Sequence, residues 1–233
     1  MLLQFQKGDV VRHLGLLDLQ RTMQRALRRS GLPVAYSRGF NPHMLMSFAS
    51  ALSSGVPGDA ELLDVSLCGE ATEEACLRAM NRVLPPALQA SRVRLVDDRF
   101  PKVSASLRTA RYRITLRGEN ARRIAQDVPA FLGEEDIPAL RKTKRSEVMV
   151  NIRPMIHELT VCCGEAGDTA ILDARVSFTE QATLKPELML SALCAHAGEE
   201  PPRCAIRRTQ LLGEEDGRLT PLIDMAYEQR ADH

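Results

Sequence analysis

A short run from Ser37 to His43, with the sequence SRGFNPH, contains the residue types best suited to chemistry. Gly39 permits a backbone turn with positive φ, Asn41 tolerates the same conformation, and Pro42 restricts the chain that follows. Such a loop exposes backbone N–H groups and presents His43, whose ordinary pKa lies near neutrality, as a candidate general acid or base. The alternative is a structural histidine that bonds the loop to itself, because the sequence shows no triad.

A second histidine, His13 beside Arg12, is a further candidate for acid–base work, and its alternative is a packing role. The loop also supplies candidate ligand-binding residues: Tyr36, Ser37, Arg38, Gly39 and Asn41. The histidines and cysteines lack metal-ligand spacing, and neither a GxGxxG motif nor a Walker loop occurs. We therefore expect no metal and no nucleotide cofactor.

Arginines recur at helical spacing just before this loop. Arg21, Arg25 and either Arg28 or Arg29 share one face of a predicted helix, opposite its apolar face. From residue 1 to 47, seven lysines and arginines stand against two aspartates. Because guanidinium groups suit phosphate, this face is a candidate for phosphate or RNA contact; the alternative is a solvated helix surface.

A second basic cluster contains Arg141, Lys142, Lys144 and Arg145, joined further along by Arg153. It falls in a predicted strand–turn segment of the second half. If the two halves pack face to face, the two clusters would line one groove and concentrate a polyanion there. The alternative is a charged hairpin in water.

Composition bounds the protein class. The 233 residues suit two domains, the formal net charge is +1, and Trp is absent, which argues against large aromatic binding platforms. No apolar run is long enough for a membrane span, and the first residues lack signal-peptide order. Six cysteines without CxxC spacing indicate free thiols in a reducing cytoplasm, and the CxxxCxxC motif of radical SAM enzymes is absent.

Apolar periodicity predicts the elements that must position these residues. We expect helices at residues 16–30, 72–84, 120–132 and 186–197, with strands between them, so that each half has a β-α-β, loop, β-α-β order. This order predicts an α+β fold of two tandem ferredoxin-like (βαββαβ) halves. The expected boundaries are an N-terminal domain over 1–98, a linker over 99–110, a C-terminal domain over 111–213 and a polar tail over 214–233.

Four stretches of the sequence resemble the DUF2344 family of radical-SAM-linked proteins. They are LDLQR (17–21), RALRRSGLPVAYSRGFNPH (25–43), Ser47-Phe48 with Gly55-Val56, and KTKR to NIRPMI (142–156). Family members occur alone or fused to a radical SAM enzyme that carries a cobalamin-type domain. The resemblance therefore implies a radical SAM partner of the cobalamin type.

Three positions depart from the family pattern. Leu16 stands where many members have a histidine, Met44-Leu45 replaces the usual Pro-Lys, and Asn151 replaces an acidic residue. The departures indicate either a modified activity or motif positions that were never catalytic.

The function that we expect is a non-catalytic accessory to a separate radical SAM enzyme, binding RNA or another polyanionic macromolecule in the cytoplasm, with no membrane association.

A second interpretation is an enzyme. Tandem ferredoxin-like halves with a Gly-rich loop, a basic helix and an early histidine also resemble the CRISPR repeat-processing endoribonucleases of the RAMP superfamily. In that case His43 or His13 would act on a ribose 2′-OH without metal, with Arg21 or Lys144 steadying the phosphate. A third is a protein–protein adaptor, which would leave Met44, Leu45, Met46 and Phe48 on the surface.

Overall fold

A computed structural model describes residues 1–97, 102–142, 147–162, 168–179 and 181–228. The chain divides into two compact units. The first unit comprises Met1–Leu107 together with Gln210–His233, and the second comprises Arg108–Thr209. Helices and antiparallel strand pairs occur in both, so the α+β class is confirmed.

The strands are β1 (Leu2–Lys7), β2 (Met46–Phe48), β3 (Gly58–Val65), β4 (Ala90–Arg94), β5 (Thr109–Arg117), β6 (Pro138–Lys142), β7 (Glu147–Asn151), β8 (Ile156–Cys162), β9 (Thr169–Ser177), β10 (Arg203–Glu215) and β11 (Arg218–Pro221). The helices are α1 (Leu16–Ser30), α2 (Glu73–Asn81), α3 (Val103–Ser106), α4 (Ala121–Gln126), α5 (Val128–Gly133), α6 (Pro186–His196) and α7 (Leu222–Glu228).

In the first unit, β1 lies between β3 and β4 and is antiparallel to both. The short strand β2 pairs antiparallel with β3, which gives the order β4-β1-β3-β2. The end of β10 adds to this sheet beside β3 and forms a hairpin with β11.

Helix α1 covers the core of this unit. Leu19, Met23, Ala26 and Leu27 are buried, at spacings of three and four residues, and pack in one cluster with residues of β1, β3 and α2. The helix ends at Gly31, whose φ of 76° lies in the left-handed region that suits a glycine at a helix C-terminus. The helix predicted at 16–30 is confirmed, and its buried stripe turns the arginines outward.

In the second unit, β5 lies beside β9, and β9 lies beside β8, all antiparallel; β10 pairs on the other side of β5. The order is therefore β10-β5-β9-β8. The separate hairpin of β6 and β7 precedes β8 in the chain, and we did not predict its first strand.

Two features of the second unit and the chain end differ from expectation. The single helix predicted at 120–132 is two helices, α4 and α5, because Pro129 has no N–H to continue the hydrogen-bond ladder and occupies the first turn of α5 instead. Within the segment expected to be a polar, partly ordered tail, the described residues 214–228 form the end of β10, then β11 and α7.

Helix α7 is retained in the first unit by apolar burial. Leu222, Ile223 and Met225 are buried, and Asp224 forms an ion pair of 2.5 Å with Arg92 on β4. Thus the polar composition of residues 214–233 concealed a short apolar face. Within the part of the chain that the structure describes, no helix combines the length and apolar character needed to cross a membrane.

Candidate functional site

The arginines of α1 line an open cleft in the first unit. Arg25, Arg28 and Arg29 form one side with Thr22, and the opposite wall is the segment Val83–Pro85, which follows α2. The volume is about 580 Å³. We refer to this feature, defined by these residues, as the arginine cleft.

The cations of the arginine cleft are available to an anion. The Arg29 guanidinium donates a hydrogen bond of 2.8 Å to the carbonyl of Val83, and Arg25 donates one of 3.4 Å to the hydroxyl of Thr22. All three arginines are exposed, and among the described residues no carboxylate pairs with any of them. Among the described residues, no acidic side chain therefore compensates their positive charge.

The wall of the cleft is held by hydrogen bonds at its base. The side chain of Asn81, the last residue of α2, accepts from the N–H of Ala90 at 2.8 Å and donates to its carbonyl at 2.9 Å. These two bonds tie the end of α2 to the start of β4. The segment between them includes Val83–Pro85, so its two ends are joined beside the cleft.

Arg21 belongs to the same helix but not to the cleft. Its guanidinium lies 3.3 Å from the Asp18 carboxylate one turn earlier, and both side chains are largely exposed. Three of the four arginines that sequence spacing grouped together therefore line one cleft, while Arg21 contacts an acid of its own helix.

The loop from Ser37 to His43 is closed by its own first and last residues. The Ser37 N–H donates to the His43 carbonyl at 2.9 Å, and the His43 N–H donates to the Ser37 hydroxyl oxygen at 3.0 Å. The same hydroxyl bonds His43 Nδ1 at 2.8 Å. Tyr36 and Met44 continue the pairing as an antiparallel bridge, and Gly39 has a φ of 127°.

This bonding defines what His43 can do. The Ser37 hydroxyl thus bonds both the His43 N–H and Nδ1, and the imidazole tautomer decides whether Ser37 or Nδ1 donates in the second bond. A histidine that bonds the loop to itself predicts these contacts, and Nε2 has no described hydrogen-bond partner. The neighbouring candidates Tyr36, Arg38, Gly39 and Asn41 are exposed and carry no described side-chain hydrogen bond.

His13 lies in a different loop. Arg12 Nε donates to His13 Nε2 at 3.1 Å, so that nitrogen carries no proton in this arrangement. Ser54 donates to the His13 carbonyl at 3.2 Å, and the imidazole lies against Gly55. His13 therefore connects the chain before α1 to the segment before β3, and no described contact joins it to His43.

The second basic cluster is described only in part. Lys144 and Arg145 lie outside the described residues, as does the side chain of Lys142. Arg153 is half-buried and donates to the carbonyls of Leu132 at 3.0 Å and Ile156 at 3.3 Å. Its guanidinium is therefore occupied by backbone of its own unit.

The apolar patch expected of an adaptor is not left on the surface. Met44 is buried in the core, and the ring of Phe48 lies 6.1 Å from that of Phe5. Met46 is half-buried, and Leu45 is 38% exposed. These four residues therefore do not form a continuous exposed surface.

The sequence patterns did not predict two parts of the site. The Val83–Pro85 wall comes from a segment more than 50 residues after the arginines, so no local pattern indicates it. Phe40, at the tip of the loop, is fully exposed, although its position between Gly39 and the Asn41-Pro42 turn could have indicated an outward ring. Among the described residues, no group of three or more His, Cys, Asp or Glu side chains is placed to hold a metal ion.

Comparisons with known proteins identify the family of this chain and a structural neighbour. The family described as "Uncharacterized protein conserved in bacteria (DUF2344)" matches residues 1–186. No curated protein matches the sequence. A crystal structure of a Cbf5-Nop10-Gar1 complex contains a chain with 13% identity and a TM-score of 0.47, over 90% of this chain and 48% of that one. This chain thus spans about half the length of that neighbour.

Proposed function

This chain belongs to the DUF2344 family, and we propose that it binds RNA or another polyanionic macromolecule as a non-catalytic accessory to a separate radical SAM enzyme. The observation that carries the proposal is the arginine cleft. Arg25, Arg28 and Arg29 converge on one open space, and no described carboxylate neutralises them. Guanidinium groups bind phosphate oxygens through paired N–H donors, so the cleft suits a phosphate backbone.

The near-neutral net charge is compatible with this function. A local cluster of cations raises the concentration of a polyanion at its surface even when the whole molecule carries a formal charge of only +1. Binding of this kind releases counterions from the nucleic acid, and its affinity therefore falls steeply as salt is added.

We propose that the scaffold is a tandem of two ferredoxin-like halves, which is the RAMP-like arrangement that the sequence predicts. The orders β4-β1-β3-β2 and β10-β5-β9-β8 support it, since both follow the 4-1-3-2 pattern of a βαββαβ unit when the β6–β7 hairpin is counted as an insertion. Fold alone does not assign function, so the proposal depends on the cleft and not on the scaffold.

The partner follows from the resemblance and not from the geometry. Members of the family accompany or are fused to radical SAM enzymes of the cobalamin type, and this sequence lacks the CxxxCxxC cluster motif. We therefore assign the radical chemistry to the partner and the holding of the substrate to this chain, in the reducing cytoplasm.

The test is a salt titration of RNA binding with matched variants. We expect wild-type protein to bind a labelled single-stranded RNA with a log–log salt slope that becomes shallower by about 1.4 in the double variant Arg25→Ala/Arg28→Ala, since each lost phosphate contact removes about 0.7. Arg21→Ala is the control, because Arg21 lies on the same helix outside the cleft and should leave the slope unchanged. Absence of salt-dependent binding, or equal effects of the double variant and the control, would contradict the proposal.

The same experiment distinguishes RNA binding without cleavage from the enzyme alternative. The observation in its favour is the 2.8 Å bond between Ser37 and His43, which holds an imidazole at a defined point of an exposed loop. We expect the RNA to be recovered intact after incubation without metal. Cleavage that disappears in His43→Ala or His13→Ala would instead assign the chain to the metal-independent endoribonucleases.

A further inference from the structure

The ring of Phe40 projects from the tip of the Ser37–His43 loop. It is 106% exposed, beyond any other large apolar side chain that the structure describes. An isolated exposed apolar residue is common on proteins and needs no function by itself. The meaning of Phe40 therefore depends on how it is held and on what surrounds it.

The backbone that carries this ring is closed by hydrogen bonds of the loop itself. Three hydrogen bonds between Ser37 and His43 close the loop, and the Tyr36–Met44 bridge continues the pairing below it. A loop whose ends are already bonded loses little backbone freedom on binding, which favours affinity. The loop thus presents the Phe40 side chain to solvent from a closed backbone.

The sequence around Phe40 contains basic residues and no acidic ones. From Leu19 to Gly58 the sequence contains five arginines and no aspartate or glutamate. One of these arginines, Arg38, is exposed two residues from Phe40, and the others lie on α1. An exposed ring in a stretch free of acids is suited to a ligand that combines negative charge with flat aromatic surfaces.

We propose that Phe40 stacks on a base of single-stranded RNA, while the arginine cleft holds the phosphate backbone. This inference deepens the proposed function and rests on it. Bases in a duplex stack on one another, and only unpaired nucleotides leave a base face open to a protein ring. Stacking on one aromatic side chain tolerates any base, so the binding is selective for strandedness and not for sequence.

The test uses the absence of tryptophan from the chain. Phe40→Trp introduces the only indole of the protein, and at a fully exposed position it should leave the thermal unfolding unchanged. We expect its fluorescence to be quenched saturably by an unstructured 12-nucleotide RNA, because stacking brings a base face onto the indole. Inorganic polyphosphate, which has no bases, should bind without quenching.

Val10→Trp is the matched control. Val10 is 93% exposed in the same unit, outside the loop and the cleft, so an indole there should show no comparable quenching by the RNA. Equal quenching at both positions, or none at Phe40→Trp while the RNA binds, would overturn the stacking inference.

An affinity measurement distinguishes this inference from the proposed function. We expect Phe40→Ala to weaken single-stranded RNA about tenfold, within the range of one base–aromatic stack, and to leave polyphosphate binding unchanged. If Phe40→Ala keeps full RNA affinity while Arg25→Ala/Arg28→Ala loses affinity, stacking is refuted and phosphate binding by the arginine cleft is still supported. If the arginine variant also keeps full affinity, the proposed function itself fails. A Phe40→Ala protein that binds RNA normally but no longer captures its radical SAM partner would assign the tip to a protein contact instead.

Discussion

At the scale of single residues, side chains of one type have different roles according to their partners. Arg21 contacts Asp18, Arg29 bonds the Val83 carbonyl, and Arg28 has no described polar partner, although all three belong to α1. Arg29 thus contributes both to the wall of the cleft and to its charge. Only contacts made in three dimensions separate these roles.

The histidines of the second unit show the same dependence on partners. His196, at the end of α6, bonds the Asp127 carboxylate at 2.5 Å and lies 3.6 Å from that of Glu134. The hydrogen bond to Asp127 raises the pKa of His196, and the charges of both acids act in the same direction. For His157, burial lowers the pKa, and the nearby Arg175 lowers it further.

We predict that the two histidines titrate on opposite sides of the ordinary value of about 6.5, which NMR of the imidazole C–H signals can measure. Because the pKa of His196 is raised in the folded state, its pair with Asp127 should stabilise the protein fully below about pH 6.5. That contribution should be lost as the pH rises through the folded pKa. Asp127→Asn should move the His196 titration back toward 6.5 without moving that of His157, and titration of both at the same pH would refute the assignment.

At the scale of elements, the side-chain amide of Asn151 joins the two ends of the β6–β7 hairpin. The Asn151 side-chain oxygen accepts from the N–H of Ile137 at 3.0 Å and from that of Arg153 at 2.9 Å, and its nitrogen bonds Asp136. At this position the family has an acidic residue, which could accept the same two N–H groups. Two backbone N–H groups therefore account for a hydrogen-bond acceptor at this position.

We predict that Asn151→Ala lowers the free energy of unfolding by about 1 kcal/mol, because two backbone donors lose their acceptor at a position that water reaches. Urea denaturation measures the change. Met149→Ala, on the same strand but 59% exposed, is the control and should stay within about 0.5 kcal/mol of wild type. Equal stability of the two variants would show that the amide does not hold the hairpin.

At the scale of the whole molecule, the first unit is discontinuous in sequence. The chain leaves it after Leu107 and returns at Gln210. The returning segment brings the end of β10, β11 and α7, with Leu211 and Leu212 buried as well as the apolar face of α7. Gly213 also lies close against Met225 and the Ser106 carbonyl, so a side chain there would collide with both.

We predict that a fragment of residues 1–107 is unfolded or melts at a much lower temperature than the full chain, because its core lacks the apolar residues of the returning segment. Joining 1–107 to 210–228 through a flexible Gly/Ser linker should restore cooperative unfolding, measured by circular dichroism. Equal melting of the two fragments would show that the returning segment does not complete this core.

The sequence by itself determined the local elements and the charge of the candidate site. The stripe of Leu19, Met23 and Ala26 determines α1 and which of its residues face outward, because helix periodicity depends only on neighbours three and four positions away. The same local logic predicts the loop after it, since Gly39 and Asn41-Pro42 restrict the backbone directly.

The tertiary structure decided which of these residues form a site. The Val83–Pro85 wall, the bond from Arg29 to Val83 and the burial of Met44 each depend on segments distant in sequence. The incorporation of residues 210–228 into the first unit has the same origin. Local patterns carry no information about which distant segment covers a residue, because the packing of the whole core decides that. The cleft has two walls, and the sequence pattern predicts only the one formed by α1.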